Sequence, residues 1–171
     1  LLLVLQHGCS TLGPSRNVEG NVPLDKAVTE LSEAQLLDVW VELFDPGKLP
    51  EDADEALGLS MDIREAEARY LAEQLRATME GTGYWGAVRL VPRDNSGSEL
   101  LVRGSIVESD GERLELEITA LDATGREWFR RSYRGEAEDP RYRSGGQYRA
   151  DPFQSLFNSI ANDLSEYRAR L

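Results

Sequence analysis

The first regular pattern in the chain is an alternation of apolar and polar positions that begins near residue 36. Apolar residues occupy every second position of this stretch, at Leu37, Val39, Val41 and Leu43. A period of two places successive side chains on opposite faces of a strand, so these four residues are expected to share one face. Asp45, Pro46 and Gly47 then end the strand. The pattern predicts a strand that buries one face and presents Trp40 and Phe44 on the other.

Two segments show the helical period instead. Residues 63–80 contain neither glycine nor proline, and their apolar residues recur every three or four positions, at Ala68, Leu71, Leu75 and Met79. Residues 151–170 begin with Asp151 as the cap, Pro152 in the first position and Gln154 completing a capping box. Their apolar stripe is wide and consists of Phe153, Leu156, Phe157, Ile160, Ala161, Leu164 and Tyr167. We predict two amphipathic helices, each burying one face.

Between these helices the period of two returns in four short strands separated by turn residues. They lie around residues 87–91, 100–106, 114–120 and 126–134. A three-residue turn that ends at Gly111 aligns the apolar rows of the second and third strands and sets Arg103 opposite Glu117. A four-residue turn before the last strand places Tyr133 in the core and brings Arg130 to Glu117.

The order of these elements predicts an α+β fold within residues 35–171. We expect a two-layer sandwich in the order β-α-β-β-β-β-α, with a mostly antiparallel sheet of about five strands. Both helical stripes need an apolar surface, so the two helices are expected on one face of the sheet. The other face is left for solvent or for a partner.

The N-terminus carries a different signal. Residues 1–5 are apolar, Gly8 precedes Cys9, and small polar residues follow the cysteine. This arrangement resembles the end of a bacterial lipoprotein signal peptide, in which the cysteine becomes the lipidated first residue. The resemblance implies that residues 1–8 are a truncated signal peptide and that Cys9 carries the lipid. Ser10 stands where that family places an aspartate for inner-membrane retention, so the resemblance implies the periplasmic face of the outer membrane.

Residues 9–34 contain Gly13, Pro14 and Gly20 among polar residues, which predicts a flexible tether to the domain. The alternative reading is that residues 1–5 form a buried strand and that Cys9 is an ordinary buried thiol.

The domain itself also carries a resemblance. The segments 72–76, 83–88, 101–104 and 121–125 resemble the domain shared by TolB N-termini, penicillin-binding-protein activator lipoproteins and ABC-transporter auxiliary lipoproteins. Members of that group are non-enzymatic envelope lipoproteins. The resemblance therefore implies a binding, scaffolding or auxiliary component of an envelope assembly or transport complex, with a protein partner in the envelope.

Charge is distributed unevenly along a chain of net charge −12. Residues 1–80 contain 6 basic and 16 acidic side chains, whereas residues 126–149 contain 7 arginines and 4 acids. The candidate partner-binding residues of this basic region are Arg130, Arg141, Tyr142, Arg143, Tyr148 and Arg149. The alternative is that these arginines only pair with neighbouring glutamates. The overall acidity argues against nucleic acid as a partner.

Aromatic residues define a second candidate contact surface. Trp40 and Phe44 are expected on the uncovered sheet face, joined by Trp128, and exposed aromatic residues on such a face are typical of an interface. The alternative is that residues 24–31 fold over them.

Composition leaves little room for catalysis or cofactors. The chain has one histidine and one cysteine, His7 and Cys9, so it cannot assemble a Cys/His zinc site or an internal disulfide. It contains neither a nucleophile elbow nor a phosphate-binding glycine loop. We expect no enzyme activity, no metal and no cofactor. The competing hypothesis is an envelope hydrolase that uses carboxylates, which would require buried acids of separated pKa.

Overall fold

The computed structural model describes residues 14–49, 60–95, 97–137 and 151–170. Within these ranges the chain forms six strands and two α-helices. The strands are β1 (Ser15–Val18), β2 (Val39–Glu42), β3 (Val88–Val91), β4 (Leu100–Ser109), β5 (Arg113–Asp122) and β6 (Glu127–Glu136). The helices are α1 (Met61–Glu80) and α2 (Gln154–Arg168). The predicted α+β class with two helices is confirmed. Neither described helix is long and apolar enough to cross a bilayer.

The six strands form one mixed sheet in the order β1-β6-β5-β4-β2-β3. The β4–β5 and β5–β6 pairs are antiparallel, as expected for hairpins. The β2–β3, β2–β4 and β1–β6 pairs are parallel, so the expectation of a mostly antiparallel sheet is wrong for the described strands. The reason is that α1 returns the chain to the starting end of β2, which makes β3 parallel to it.

Both helices pack on one face of the sheet and share a single apolar core. The largest side chains that are fully buried there include Phe44, Leu75, Met79, Leu116, Ile118, Tyr133, Phe157 and Leu164. The predicted stripes of α1 and α2 both contribute to this core, because a helix on a sheet is stable only when its apolar side is covered.

The hairpin register differs from the prediction. Arg103 pairs with Thr119, two positions away from Glu117, and the register shifts at a bulge between Ile106 and Glu108. A two-residue slip keeps every side chain on its own face, so the apolar rows still align. Arg103 consequently contacts a different acid, Glu42 of β2, with 3.1 Å between Nε and Oε2.

The start of α2 is also built differently. The Asp151 carboxylate accepts a hydrogen bond from the Phe153 backbone N–H at 2.8 Å, but the regular helix begins only at Gln154. The capping box predicted for Gln154 is wrong, because its side-chain amide donates to Thr78 and Asn158 instead.

The N-terminal segment is part of the fold from residue 14 onward, which corrects the tether predicted over residues 9–34. Strand β1 pairs with β6, and the chain then crosses α2, where Asn158 Nδ2 donates to the Val22 carbonyl at 2.8 Å. Further along, the Ala27 N–H donates to the Thr82 carbonyl at 2.8 Å. Of the predicted tether, only residues 9–13 lie outside the described chain.

Candidate functional site

The candidate site is the face of β4, β5 and β6 that points away from the helices. We call this surface, together with the adjoining Glu42 of β2, the open face. Its members alternate with the core residues along each strand. They are Glu42, Arg103, Ser105, Glu115, Glu117, Thr119, Arg130, Ser132 and Arg134. Two rows cross the strands here: Arg103, Thr119 and Arg130 are register partners, and so are Ser105, Glu117 and Ser132.

Ion pairs cover this face. Arg134 pairs with Glu115 at 2.9 Å from its Nε. Arg130 pairs with Glu117 at 3.7 Å and also with Glu127 at 3.2 Å. The predicted meeting of Arg130 with Glu117 is therefore confirmed, although the two are diagonal neighbours and not direct partners. The Arg134–Glu115 and Arg130–Glu117 pairs therefore link β6 to β5 through their side chains.

A segment of the chain itself crosses the β2 side of this face. Residues 92–95 and 97–99 lie between the end of β3 and the start of β4, and the Asn95 N–H donates to Glu42 Oε1 at 3.2 Å. A Cβ placed on Gly97 would lie 3.8 Å from Cη2 of Trp40, so the segment packs over that indole. Among the described residues, Asp94 is the one non-glycine residue with a positive φ, at 65°. The crossing leaves a groove of about 370 Å³ beside Arg93, Arg103 and Arg130.

The predicted aromatic surface is only partly present. Trp40 lies on the predicted face but is half-buried, with Gly97 packed over its indole. Leu24 and Ala27, from the predicted cover of residues 24–31, instead lie beside Gly81 and Thr82 at the end of α1. Phe44 is 1% exposed and belongs to the core, so its predicted exposure is wrong. The alternation of β2 ends at Glu42, and Phe44 then packs against Gly104, where a Cβ would come within 2.6 Å of its ring.

The predicted exposure of Trp128 on the uncovered sheet face is also wrong. It is 6% exposed and stacks on Tyr167 of α2, with 5.2 Å between ring centroids. The cause is a register shift between Ala120 and Leu121, which leaves Trp128 without a partner on β5 and turns it toward the helices.

The other predicted site residues divide simply. Arg130 lies on the open face and is exposed, as expected of a contact residue. Arg141, Tyr142, Arg143, Tyr148 and Arg149 lie outside the described residues, and so does the predicted lipidation residue Cys9.

One charged cluster was not predicted. Asp163 of α2 is buried and accepts hydrogen bonds from Arg16 of β1, from Arg131 of β6 and from the Tyr133 hydroxyl, the last at 2.7 Å. Burial and the adjacent carboxylate raise the pKa of Tyr133. The sequence feature that could have indicated this cluster is the position of Asp163 beside Leu164, within the apolar stripe of α2. The cluster lies on the helix side and ties three elements together.

The titratable side chains of the described residues are engaged in hydrogen bonds and ion pairs at several positions. A hydrogen bond to Asp151, together with burial, raises the pKa of Tyr70 to about 12, so this phenol stays protonated at neutral pH. The deeply placed acids of the open face, Glu42 and Glu115, each contact an arginine. In the described part of the chain, no three His, Cys, Asp or Glu side chains come together as metal ligands would.

Comparison with known proteins adds one distant similarity. No family model matches the chain, and no curated protein matches it. The crystal structure of protein XCC0632 from Xanthomonas campestris, which carries the family-model label DUF330, is similar at 11% sequence identity. The alignment covers 89% of this chain and 92% of that chain, with a TM-score of 0.47.

Proposed function

We propose that this chain is a non-catalytic, lipid-anchored binding protein of the bacterial envelope. Cys9 attaches it to the periplasmic face of the outer membrane, and the open face holds a protein partner in an assembly or transport complex. The anchor and the envelope location derive from the sequence resemblances. The binding surface derives from the structure.

The observation that carries the binding role is the asymmetry of the sheet. Both helices lie on one face, while the open face of β4, β5 and β6 is crossed only at its β2 edge, as far as the described residues go. Half-exposed arginines on a flat strand surface can donate several hydrogen bonds to a partner without a change of fold. A module with this surface is suited to docking.

The acids of this face support a binding role over the competing hydrolase. A carboxylate hydrolase needs two acids whose oxygens can reach a substrate. Glu42, Glu115 and Glu117 each form an ion pair with an arginine of the same face, so their carboxylates are engaged within the sheet.

The position of β1 limits the distance between a lipid on Cys9 and the folded domain. Cys9 is six residues before Ser15, and six residues of extended chain span at most about 20 Å. A lipid on Cys9 would therefore hold the domain close to the bilayer, with the start of β1 nearest to it. Strands β1, β2, β3, β4 and β6 run in the same direction, so all of them would point away from the membrane.

The anchor is tested by labelling cells with a clickable fatty acid. The wild-type chain, expressed with its native leader, should take up the label and sediment with outer membranes. Cys9→Ala should lose the label, and Cys9→Ser, which keeps a small polar side chain without the thiol, should lose it as well. Equal labelling of wild type and Cys9→Ala would contradict the anchor.

The binding face is tested by charge reversal. Arg130→Glu should reduce the recovery of envelope proteins that co-purify with the tagged chain, whereas Arg170→Glu should not. Arg170 is a suitable control because it lies just beyond the end of α2 and makes a similar exposed ion pair with Glu166. Both variants should melt within about 2 °C of wild type, since exposed pairs contribute little to stability. Unchanged recovery with Arg130→Glu would contradict the assignment of this face.

A further inference from the structure

The ion pairs of the open face are layered, with the acids beneath the arginines. The side chain of Glu42 is 6% exposed while that of its partner Arg103 is 46% exposed. The same order holds for Glu115 and Arg134, at 10% and 53%. A partner that approaches this face therefore meets guanidinium groups first, although the acids nearly balance them.

These guanidinium groups keep unused hydrogen-bond donors. Within the described chain, Arg103 donates one hydrogen bond, from Nε to Glu42, and its two terminal nitrogens remain available. An arginine side chain offers five N–H donors in a plane that matches a carboxylate. Arg93 borders the same groove and forms no ion pair with any described residue. Thr119 lies between Arg103 and Arg130 in one row and borders the same groove.

The spacing of the arginines selects the kind of ligand. Arg103 and Arg130 are separated by strand β5, which places their backbones two strand spacings apart, about 10 Å. Arg130 and Arg134 are four residues apart on β6, about 13 Å. One small anion in the groove shared by Arg103 and Arg130 does not reach Arg134, which does not line that groove. An extended polypeptide advances about 3.3 Å per residue, so acids three residues apart match the first distance and acids four residues apart match the second. The first distance runs across the strands and the second runs along β6, so a segment that reaches all three arginines turns at Arg130.

The rest of the molecule decides between an acidic polypeptide and a nucleic acid. Duplex DNA carries about one charge per 1.7 Å of its axis, far denser than these arginines, and a chain of net charge −12 repels it over a long range. A protein segment can place a few acids on the open face and neutral or basic residues elsewhere. The charge pattern is therefore complementary to a sparse acidic segment.

We infer that the open face binds an acidic segment of the partner protein that crosses β5 from Arg103 to Arg130 and then turns along β6 to Arg134, with carboxylates three to four residues apart. The inference rests on the proposed function, because it specifies the partner of the same surface. The groove beside Arg93 and Thr119 receives the part of the segment that crosses between β4 and β6. The buried glutamates hold the arginines in place and prevent them from collapsing onto the sheet.

The test is fluorescence anisotropy with the purified full-length chain and three labelled twelve-residue peptides. The first carries glutamate at every fourth position between serines, the second carries glutamine at the same positions, and the third has the same glutamates adjacent to one another. The spaced acidic peptide should bind at least tenfold more tightly than the glutamine peptide and severalfold more tightly than the clustered one. Its affinity should fall as salt rises.

Variants locate the binding site. Arg103→Gln with Arg130→Gln keeps polar side chains but removes two charges, and it should weaken binding of the spaced peptide about tenfold. Arg76→Gln with Arg170→Gln removes two charges on the helix side and should leave binding unchanged. Equal affinity for all three peptides, or the same loss from both double variants, would overturn the inference.

Two further outcomes separate the inference from the proposed function. Inorganic phosphate at millimolar concentration should compete no better than chloride at equal ionic strength. Displacement of the spaced peptide by phosphate would instead indicate a site for a single anion and would overturn the inference. If Arg130→Glu abolishes partner recovery from envelopes while no acidic peptide binds, the proposed function stands and the acidic-segment inference fails.

Discussion

The two faces of the sheet use buried carboxylates for different purposes. On the helix face, Asp163 of α2 is buried and accepts hydrogen bonds from Arg16 of β1, from Arg131 of β6 and from the Tyr133 hydroxyl, so it joins three elements of the fold. On the open face, carboxylates such as Glu115 lie beneath arginines of the same sheet that reach into solvent. The charges of the helix face thus hold elements together, whereas the open face presents a set of arginines.

The difference teaches where stability and recognition reside. Apolar burial, at about 25 cal/mol per Å², makes the helix side the main source of folding free energy. Exposed ion pairs contribute only about 0–1 kcal/mol each, so the open face can change its charges at little cost in stability. Substitutions on the two faces should accordingly separate the free energy of unfolding from binding.

The largest expected effect comes from the apolar core under the helices. Leu116 is fully buried on β5, so Leu116→Ala should lower the free energy of unfolding by about 4 kcal/mol, through lost burial and a residual cavity. Ser105→Ala, on the neighbouring strand of the open face, should change it by less than about 0.5 kcal/mol. Urea denaturation followed by circular dichroism measures both. Similar losses would remove the distinction between the faces.

The next effect concerns the buried carboxylate. Asp163 is buried and accepts three hydrogen bonds, so Asp163→Asn, which removes the charge that Arg16, Arg131 and the Tyr133 hydroxyl contact, should cost about 2 kcal/mol. The matched change on the open face is Glu117→Gln, which removes a weaker contact with Arg130 and should cost less than about 1 kcal/mol. A larger loss of stability from Glu117→Gln than from Asp163→Asn would contradict the assignment of stability to the helix side and of recognition to the open face.

An effect of similar size is expected where the end of β2 meets β4. A Cβ at Gly104 would lie 2.6 Å from the Phe44 ring, so Gly104→Ala should destabilise the fold by about 2 kcal/mol through overpacking. Gly104→Ala combined with Phe44→Leu should recover part of that loss, because leucine frees space at the ring edge. A neutral Gly104→Ala would mean that Phe44 is not packed on β4 as described.

The smallest effect is a pH dependence on the helix side. The raised pKa of Tyr70 means that its neutral form is favoured in the folded state, so its contribution is complete below pH 10 and is lost as pH rises through about 12. Tyr70→Phe should therefore show a shallower loss of stability between pH 10 and 12 than wild type, as measured by urea midpoints. Tyr133 is present in both proteins, so the difference reports Tyr70. Identical slopes would contradict the Tyr70–Asp151 hydrogen bond.

Much of the fold was predictable because its signals are local. The stripes of α1 and α2 and the turns at Gly111 and Gly125 depend on residues close in sequence, and the structure contains all four. Strand β1 was not predictable in this way. Its four residues show no apolar alternation, and the strand exists because β6, more than a hundred residues later, offers a free edge.

The site was predictable only in part, because it depends on positions where the period-two pattern of β2 and β6 is interrupted. Arg130 was correctly placed from its period-two position on β6. Trp128, two residues earlier, was misplaced because a bulge reverses its direction, and a bulge is set by the pairing of two strands. Phe44 was misplaced because β2 ends two residues before it. The layering of buried acids under arginines depends on strand order, which no single segment reveals.

The most direct test of the separation between the two faces is site-specific photo-crosslinking in intact cells. A benzoyl-phenylalanine placed at Ser105 samples the open face, and one at the exposed Ala66 of α1 samples the helix side of the same folded chain. The account predicts a discrete crosslinked protein adduct from Ser105, lost when Arg130→Glu is added, and no adduct from Ala66. An adduct from Ala66 together with none from Ser105 would contradict it.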